Sequence, residues 1–287
     1  MGQNPLTRLV GKISANILLT AGIIIVAGCL AIAIAAPLLA PHDLSPNPAL
    51  RLLKPFREAS FPLGTDAIGR DILTRLMYGI RTSVLIAFSS VVLAALIGTV
   101  VGVLSGFSNP GLFDTILMRL TDVQMGFPFV VLAMIALTLF NPDKTSIAIV
   151  LSLSLWPVYA RMVRSSVMLQ KDSDYIAAAR LMGAGRWRIY TRYVGRNLLP
   201  AMLPLFPLDI AGMVINESLL SYMSIGIKPP EISIGNIMAD ARGYIASDSW
   251  YILLPGVLLV IMVLGLNFIG DSLQTLLDPS LRQKRRG

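Results

Sequence analysis

The chain has 287 residues, of which 55% are hydrophobic and 14% charged, and its mean hydropathy is +0.71. This composition lies outside the range of soluble globular proteins and indicates an integral membrane protein. The net charge of +8 requires no nucleic-acid partner, because basic loops that face anionic membrane lipid produce the same excess. A single cysteine, Cys29, and a single histidine, His42, argue against a disulfide framework and against a metal site.

Six stretches of the chain are apolar and long enough to cross the roughly 30 Å hydrocarbon core of a bilayer as helices that rise about 1.5 Å per residue. Only the fifth is interrupted by acidic residues, Asp209 and Glu217. The first run is too long for a cleavable signal and is expected to remain as a helix. We therefore predict an all-α integral membrane protein with six transmembrane helices, at 16–36, 82–106, 123–140, 145–160, 198–227 and 250–270.

The distribution of lysine and arginine predicts the orientation of these spans, because positively charged flanks stay in the cytoplasm. Six spans place both termini on one side of the membrane. The loop after the fourth span and the tail 273–287 are dense in Lys and Arg, whereas the loop 37–81 balances its cations with acidic residues. We therefore expect the segments 1–15 and 273–287 to be cytoplasmic and the loop 37–81 to be external.

The external loop begins with a proline-rich segment that cannot be a continuous helix, since each interior proline removes a hydrogen-bond donor. In its second half, Thr65 or Asp66 can cap a helix. The following apolar residues recur at helical spacing, which predicts an amphipathic helix at the membrane surface or against the bundle: Ile68, Ile72, Leu73 and Leu76.

The stretch 174–200, DYIAAARLMGAGRWRIYTRYVGRNLLP, is the most cationic part of this apolar chain. Acidic residues at its start suit a helix N-terminus, where they oppose the positive end of the helix dipole. Spacings of i, i+3, i+4 and i+7 predict one helix face that suits docking into a groove, formed by Tyr175, Ala178, Ala179 and Met182. Gly183 and Gly185 are typical of a helix end. The alternative is an ordinary cytoplasmic loop with arginines that reach the bilayer surface.

This stretch resembles the EAA loop of ABC-importer permeases, in which an alanine pair, a glycine and a terminal leucine-proline recur at similar spacing. Five further blocks are similar to the C-type permease subunits of dipeptide, oligopeptide and nickel importers: PLGTDAIGRDILTRLMYGIRTS, DTILMRLTDVQMGFP, YARMVRSSVM, ESLLSYMSIGIKPPEISIGNIMADAR and PGVLLVIMVLGLNFIGDSLQTLLDPSLR. The chain departs from that pattern at Ile176 and Ala177, where Glu or Val is usual, in the block 217–226, and at Ile234, where tryptophan is common.

The resemblance implies a type I ABC importer permease fold, with a core at 82–272 and a cytoplasmic EAA loop at about 172–197. The coupling helix at 174–182 would sit in a cleft of an ATPase subunit. The implied partners are a second permease subunit that completes a heterodimer, two ATPase subunits and an external substrate-binding protein. The residues expected to couple to the ATPase are Asp174, Tyr175, Ala178, Ala179, Arg180, Met182, Gly183 and Ala184.

The resemblance also implies a transport subunit of a bacterial or archaeal plasma membrane that is not an enzyme and binds no cofactor. ATP and Mg²⁺ would be bound by the ATPase chains, since this sequence has no G-x-x-x-x-G-K-[ST] loop for nucleotide phosphates.

Asp209 and Glu217 are unusual because an ionised carboxylate at the centre of a membrane helix costs about 2.5–3.5 kcal/mol on insertion scales. Asp209 and Asn216 are seven residues apart and share one helix face. We predict that Asp209, Asn216 and Glu217 line a translocation path beside a partner permease. The alternatives are structural contacts with other helices or, for Glu217, a position near the outer surface. Prolines crowd the start of the same span and predict a kink or break, at Pro200, Pro204 or Pro207.

The favoured function is a permease subunit that forms half of a translocation pathway for short peptides. Transport of nickel or metal chelates by the same importer class is the nearest alternative. An ion-driven secondary carrier that works alone is a further alternative, although such carriers often show inverted repeats and charged relays within the membrane. A membrane-anchored scaffold is a third, and it would not need the polar face of the fifth span.

Overall fold

The computed structural model describes residues 17–108 and 110–277. The predicted terminal segments 1–15 and, beyond residue 277, the basic tail lie outside the described residues. In chain order the helices are α1 (Ile17–Leu39), α2 (Ile72–Ser108), α3 (Leu112–Met125), α4 (Phe129–Leu139), α5 (Lys144–Lys171), α6 (Asp174–Leu181), α7 (Arg186–Arg188), α8 (Gly195–Met202), α9 (Leu205–Tyr222), α10 (Ile234–Ala241) and α11 (Trp250–Leu277). A π-helical segment, Ile189–Val194, joins α7 to α8, and short 3₁₀ turns occupy Pro48–Leu50 and Arg242–Tyr244.

Four of these helices, α1, α2, α5 and α11, are each long and apolar enough to cross a membrane. Two bent combinations are also apolar enough: α3 with α4, and the segment Ile189–Met202 with α9. If each bent combination is counted as one span, the described residues contain the six spans that the sequence predicts.

The bends lie at prolines. Pro128 precedes the first residue of α4, and the axes of α3 and α4 meet there at 93°. The span predicted at 123–140 is therefore not one continuous helix, because the apolar run crosses this corner. In the fifth span the chain breaks between Met202 and Leu205, at Pro204, with a bend of 55°. The break predicted from the prolines is confirmed at Pro204, while Pro200 lies inside α8 and Pro207 in the first turn of α9.

Helices α2 and α5 pack closely along a stripe of glycines in α2. A Cβ atom on Gly98 would lie 2.4 Å from Cβ of Tyr159, one on Gly102 would lie 2.6 Å from the carbonyl oxygen of Ala160, and one on Gly106 would contact Val167. Small residues of this kind allow backbones of membrane helices to approach closely. Residue numbers rise together along the contact, so the two helices run in the same direction.

This parallel packing defines two ends of the bundle. The end where α2 and α5 begin also carries the segment 40–71 and α10, and Lys144 pairs there with Glu231 at 2.7 Å; we call it the α10 end. The end where α2 and α5 finish carries α6, and we call it the α6 end.

The predicted start of the amphipathic helix at Thr65 or Asp66 is wrong, whereas its later positions Ile72, Leu73 and Leu76 are helical. Residues 65–71 form a loop, and the helix that begins at Ile72 continues without interruption into the second span. The loop turns at Gly69, which has a φ of +81° and whose Cβ would lie 1.8 Å from the carbonyl oxygen of Asn47. The Asp71 carboxylate accepts a hydrogen bond from the backbone N–H of Thr74 at 3.0 Å, so Asp71 is the residue that caps α2.

Candidate functional site

The short helix α6 matches the helix predicted at 174–182, and it has one closed and one open side. Ile176 and Ala179 are fully buried against the bundle. Leu181 is 91% exposed and Met182 is 78% exposed, and Ala178 is exposed beside them. Ala179 therefore faces inward, so the predicted docking face is wrong at that residue.

The open apolar surface of α6 consists of Ala178, Leu181 and Met182. Sequence reasoning missed Leu181, although it lies at i+3 from Ala178 and could have been found by that spacing. Of the remaining predicted coupling residues, Ala184 is half-buried. The others are exposed, namely Asp174, Tyr175, Arg180 and Gly183.

The end of α6 is a Schellman motif centred on Gly183. The Gly183 N–H donates to the carbonyl oxygen of Arg180 and the Ala184 N–H to that of Ala179, both at 3.0 Å. Gly183 has a φ of +81°, a conformation that glycine adopts readily. The motif turns the chain sharply, and Trp187, in α7 just beyond the turn, is 77% exposed.

The predicted path residues of the fifth span have different surroundings. Asp209 is half-buried and accepts a hydrogen bond from the hydroxyl of Tyr159 in α5, with 2.5 Å between the oxygens. Asn216 is also half-buried. These two residues remain candidates for a path at the surface of the subunit.

Glu217 is fully buried between α2, α9 and the start of α10. Its carboxylate accepts hydrogen bonds from the hydroxyls of Ser83 at 2.7 Å and Ser221 at 2.8 Å. Ser83 also accepts a hydrogen bond from the backbone N–H of Ile234 at 3.3 Å. Glu217 therefore reaches no open path in this conformation, and its predicted role in a path is replaced by a structural contact.

A buried ion-pair network at the α10 end was not predicted. Arg75, only 2% exposed, donates to Asp66 at 2.7 Å, to Asp240 at 2.6 Å and to the hydroxyl of Tyr251 at 2.9 Å. Arg70 donates to the same two carboxylates, at 2.6 Å and 3.1 Å. The network joins the loop before α2 to α10 and α11, so cations that the sequence had suggested were loop charges stabilise the fold.

No group of three or more His, Cys, Asp or Glu side chains that could hold a metal ion occurs within residues 17–108 and 110–277.

The described residues thus form an apolar helical bundle with a broken span and a short, partly exposed helix at one end. Residues 98–283 match the family model described as "Binding-protein-dependent transport system inner membrane component". The chain belongs to this family of ABC-importer permeases, and it is a transport subunit, not an enzyme. The resemblance and the function class predicted from the sequence are confirmed.

Relatives cover nearly the whole chain. The dipeptide transport system permease protein DppC of Haemophilus influenzae is 33% identical over 88% of this chain and 87% of its own length. The di/tripeptide transport system permease protein DppC of Pseudomonas aeruginosa is 35% identical over 87% of this chain and 84% of its own. The nickel transport system permease protein NikC of Escherichia coli is 35% identical over 80% of this chain and 82% of its own.

A solved structure supports the fold. A chain from an inward-facing conformation of the MetNI methionine ABC transporter superimposes with a TM-score of 0.61 at 21% identity, over 72% of this chain and 98% of that chain. The predicted type I permease fold is confirmed, and the chain is a multi-pass inner-membrane protein.

Proposed function

We propose that this chain forms half of the translocation pathway of an ATP-driven importer of short peptides and is coupled to ATPase subunits through α6. The observation that carries the proposal is the open apolar surface of Ala178, Leu181 and Met182 on a helix whose other side is anchored in the bundle. Exposed leucine and methionine at the end of a membrane protein favour a protein partner. The names of the DppC relatives support peptides as the substrate class.

The proposed assembly contains a second permease subunit, two ATPase subunits that bind ATP and Mg²⁺, and an external binding protein. The α6 end would face the cytoplasm, with both termini on that side. Exposed cations at this end favour that orientation, namely Arg180, Arg188, Arg192 and Arg196. At the α10 end, Arg70, Arg75 and Lys144 form ion pairs with acidic residues.

Asp209 and Asn216 are the residues that we propose for the path. Both are half-buried. Only one carboxylate oxygen of Asp209 accepts the hydrogen bond from Tyr159, so the other can interact with the path. A polar stripe on an otherwise apolar span is stable where it faces protein or water. A second permease beside this face would supply the protein surface, and the path between the two subunits would supply the water.

Crosslinking tests the contact at α6. Leu181→Cys, in the complete importer, is expected to crosslink to an ATPase subunit. Leu38→Cys, at a position 89% exposed near the other end of the bundle, is the matched control and is expected not to do so. Equal crosslinking of both, or crosslinking of neither, would contradict the proposal.

The substrate is tested with the importer in proteoliposomes. We expect ATP-dependent uptake of a dipeptide in the presence of the cognate binding protein. The similarity to NikC favours nickel as the second candidate, so ⁶³Ni²⁺ uptake under the same conditions is the comparison. Uptake by this chain alone without ATP would instead indicate a secondary carrier.

A further inference from the structure

Three polar side chains from three different elements meet beside α6. Gln170 lies in the last turn of α5, Tyr175 in the first turn of α6 and Asn197 in α8. Gln170 Oε1 accepts hydrogen bonds from the Tyr175 hydroxyl at 3.0 Å and from Asn197 Nδ2 at 2.9 Å. Asn197 Nδ2 also donates to the Tyr175 hydroxyl oxygen at 3.3 Å, which closes a ring of three contacts. We call these residues the Gln170 cluster.

The covalent route from α6 to α8 contains two irregular features. It passes through the turn at Gly183, which has a φ of +81°, and then through the π-helical segment Ile189–Val194. π-helical turns are rare and frequently occur at functional sites within helices. The Gln170 cluster bypasses both features and joins α6 directly to α5 and to α8.

Helix α5 is also joined to the fifth span on the other side of the break at Pro204. Tyr159 of α5 donates to Asp209 of α9 at 2.5 Å. Helix α5 is therefore connected to the fifth span on both sides of the bend, to α8 before it and to α9 after it. The apolar side of α6 is also anchored, because Ile176 and Ala179 are fully buried.

We propose that Gln170, Tyr175 and Asn197 are positioning residues that transmit a displacement of α6 to α5 and to the fifth span together. The proposal rests on the proposed contact between α6 and an ATPase subunit. When an ATPase subunit moves α6, the cluster makes the end of α5 and the start of α8 follow, instead of letting the glycine turn and the π-helical segment absorb the movement.

The test compares two substitutions of Gln170 in the complete importer in proteoliposomes. Gln170→Met keeps the length of the side chain but removes the acceptor, and we expect uptake per ATP hydrolysed to fall roughly fivefold or more, the usual lower range of a coupling effect. Gln170→Glu keeps the acceptor oxygen and is expected to restore most of that ratio. A purely structural role would lower the amount of assembled complex and leave the ratio unchanged.

A second pair removes only a hydroxyl. Tyr175→Phe is expected to lower uptake per ATP in the same way. Tyr190→Phe is the matched control, because the Tyr190 ring packs against Phe107 and its hydroxyl makes no hydrogen bond within the described residues. Wild-type ratios in Gln170→Met and Tyr175→Phe would overturn the inference, as would loss of the ATPase subunits from the purified complex. Failure of the proposed function is recognised separately, because Leu181→Cys would then fail to crosslink to an ATPase subunit.

Discussion

Gly183 and Gly185 lie two residues apart, and an added Cβ would meet no atom within 4 Å at either position. They differ in backbone conformation, since the positive φ of +81° is found at Gly183. A side chain in the left-handed region costs about 1–2 kcal/mol, whereas the same side chain at Gly185 meets neither a clash nor this cost. The two glycines therefore have different roles in the same turn.

Gly183→Val is expected to abolish ATP-driven uptake while the protein remains in the membrane, because the Schellman turn would no longer hold α6 in position. Uptake of a labelled peptide into proteoliposomes measures the effect. Gly185→Val is the matched control and should retain most of the uptake. Normal transport by Gly183→Val would contradict the role of the turn.

Glu217 is a second residue whose role is clear from its contacts. Its carboxylate accepts hydrogen bonds from two serine hydroxyls, and Ser83 links it to the backbone of Ile234. A buried donor that loses its acceptor costs about 1–3 kcal/mol. The bonds hold the start of α10 against α2 and α9.

Glu217→Leu is expected to destabilise the purified protein by about 2–3 kcal/mol, because the hydroxyls of Ser83 and Ser221 lose an acceptor. Glu217→Gln keeps an acceptor oxygen and should cost less. Thermal unfolding in detergent measures both. In the double variant Ser83→Ala/Glu217→Leu part of the loss should return, and a purely additive result would contradict the hydrogen bond as its cause.

Among the elements, the parallel pair α2 and α5 packs closely along three glycines. Gly98, Gly102 and Gly106 lie four residues apart in α2, and each would place a Cβ atom within 2.7 Å of α5. Glycine in a helix is otherwise unfavourable by about 1 kcal/mol relative to alanine. The close approach of the two backbones, which these glycines allow, offsets that cost.

Gly102→Ala is expected to destabilise the protein by about 1–3 kcal/mol through overpacking, because the new methyl group would lie 2.6 Å from a backbone oxygen of α5. Gly28→Ala in α1 is the matched control, since a Cβ atom there has no neighbour within 4 Å and alanine favours the helix. Thermal unfolding distinguishes the two. Equal melting temperatures would argue against close packing of α2 on α5.

The break at Pro204 and the extent of α6 could be predicted because both depend on local sequence: a proline that lacks a donor, and acidic and glycine residues at the two ends of a short helix. The inward side of α6 could not, because the bundle that buries Ala179 is formed by distant residues. Residues 65–71 were misassigned for a related reason, since their apolar spacing is helical but the glycine at 69 adopts a positive φ.

At the scale of the whole molecule, the contacts missed by sequence reasoning join residues far apart in the chain. Ser83 and Glu217 are separated by 134 positions, and Arg75 and Asp240 by 165. Hydropathy and periodicity contain no information about such pairs. The apolar runs nevertheless predicted the six spans, because hydrocarbon thickness restricts the length of each span independently of its neighbours.

Asp209→Asn is a test at this scale, because it concerns the path between subunits. Asparagine keeps an acceptor for the Tyr159 hydroxyl, so the helices should pack as before, and assembly with the partner subunits is expected to be unchanged. We expect peptide uptake to fall roughly tenfold, equivalent to about 1.4 kcal/mol, if the lost charge faces the path. Unchanged uptake with unchanged assembly would remove Asp209 from the path.

The glycine stripe between α2 and α5 has a consequence for communication across the bilayer. The close approach of the two backbones favours movement of α2 and α5 together. Helix α2 has 37 residues, which corresponds to a length of about 55 Å, and its first turn is bonded to the ion-pair network beside α10. If α6 contacts an ATPase subunit as proposed, a shift at that membrane surface would reach the opposite surface through this pair, and docking of a binding protein there would, by thermodynamic reciprocity, alter the affinity of the ATPase for ATP.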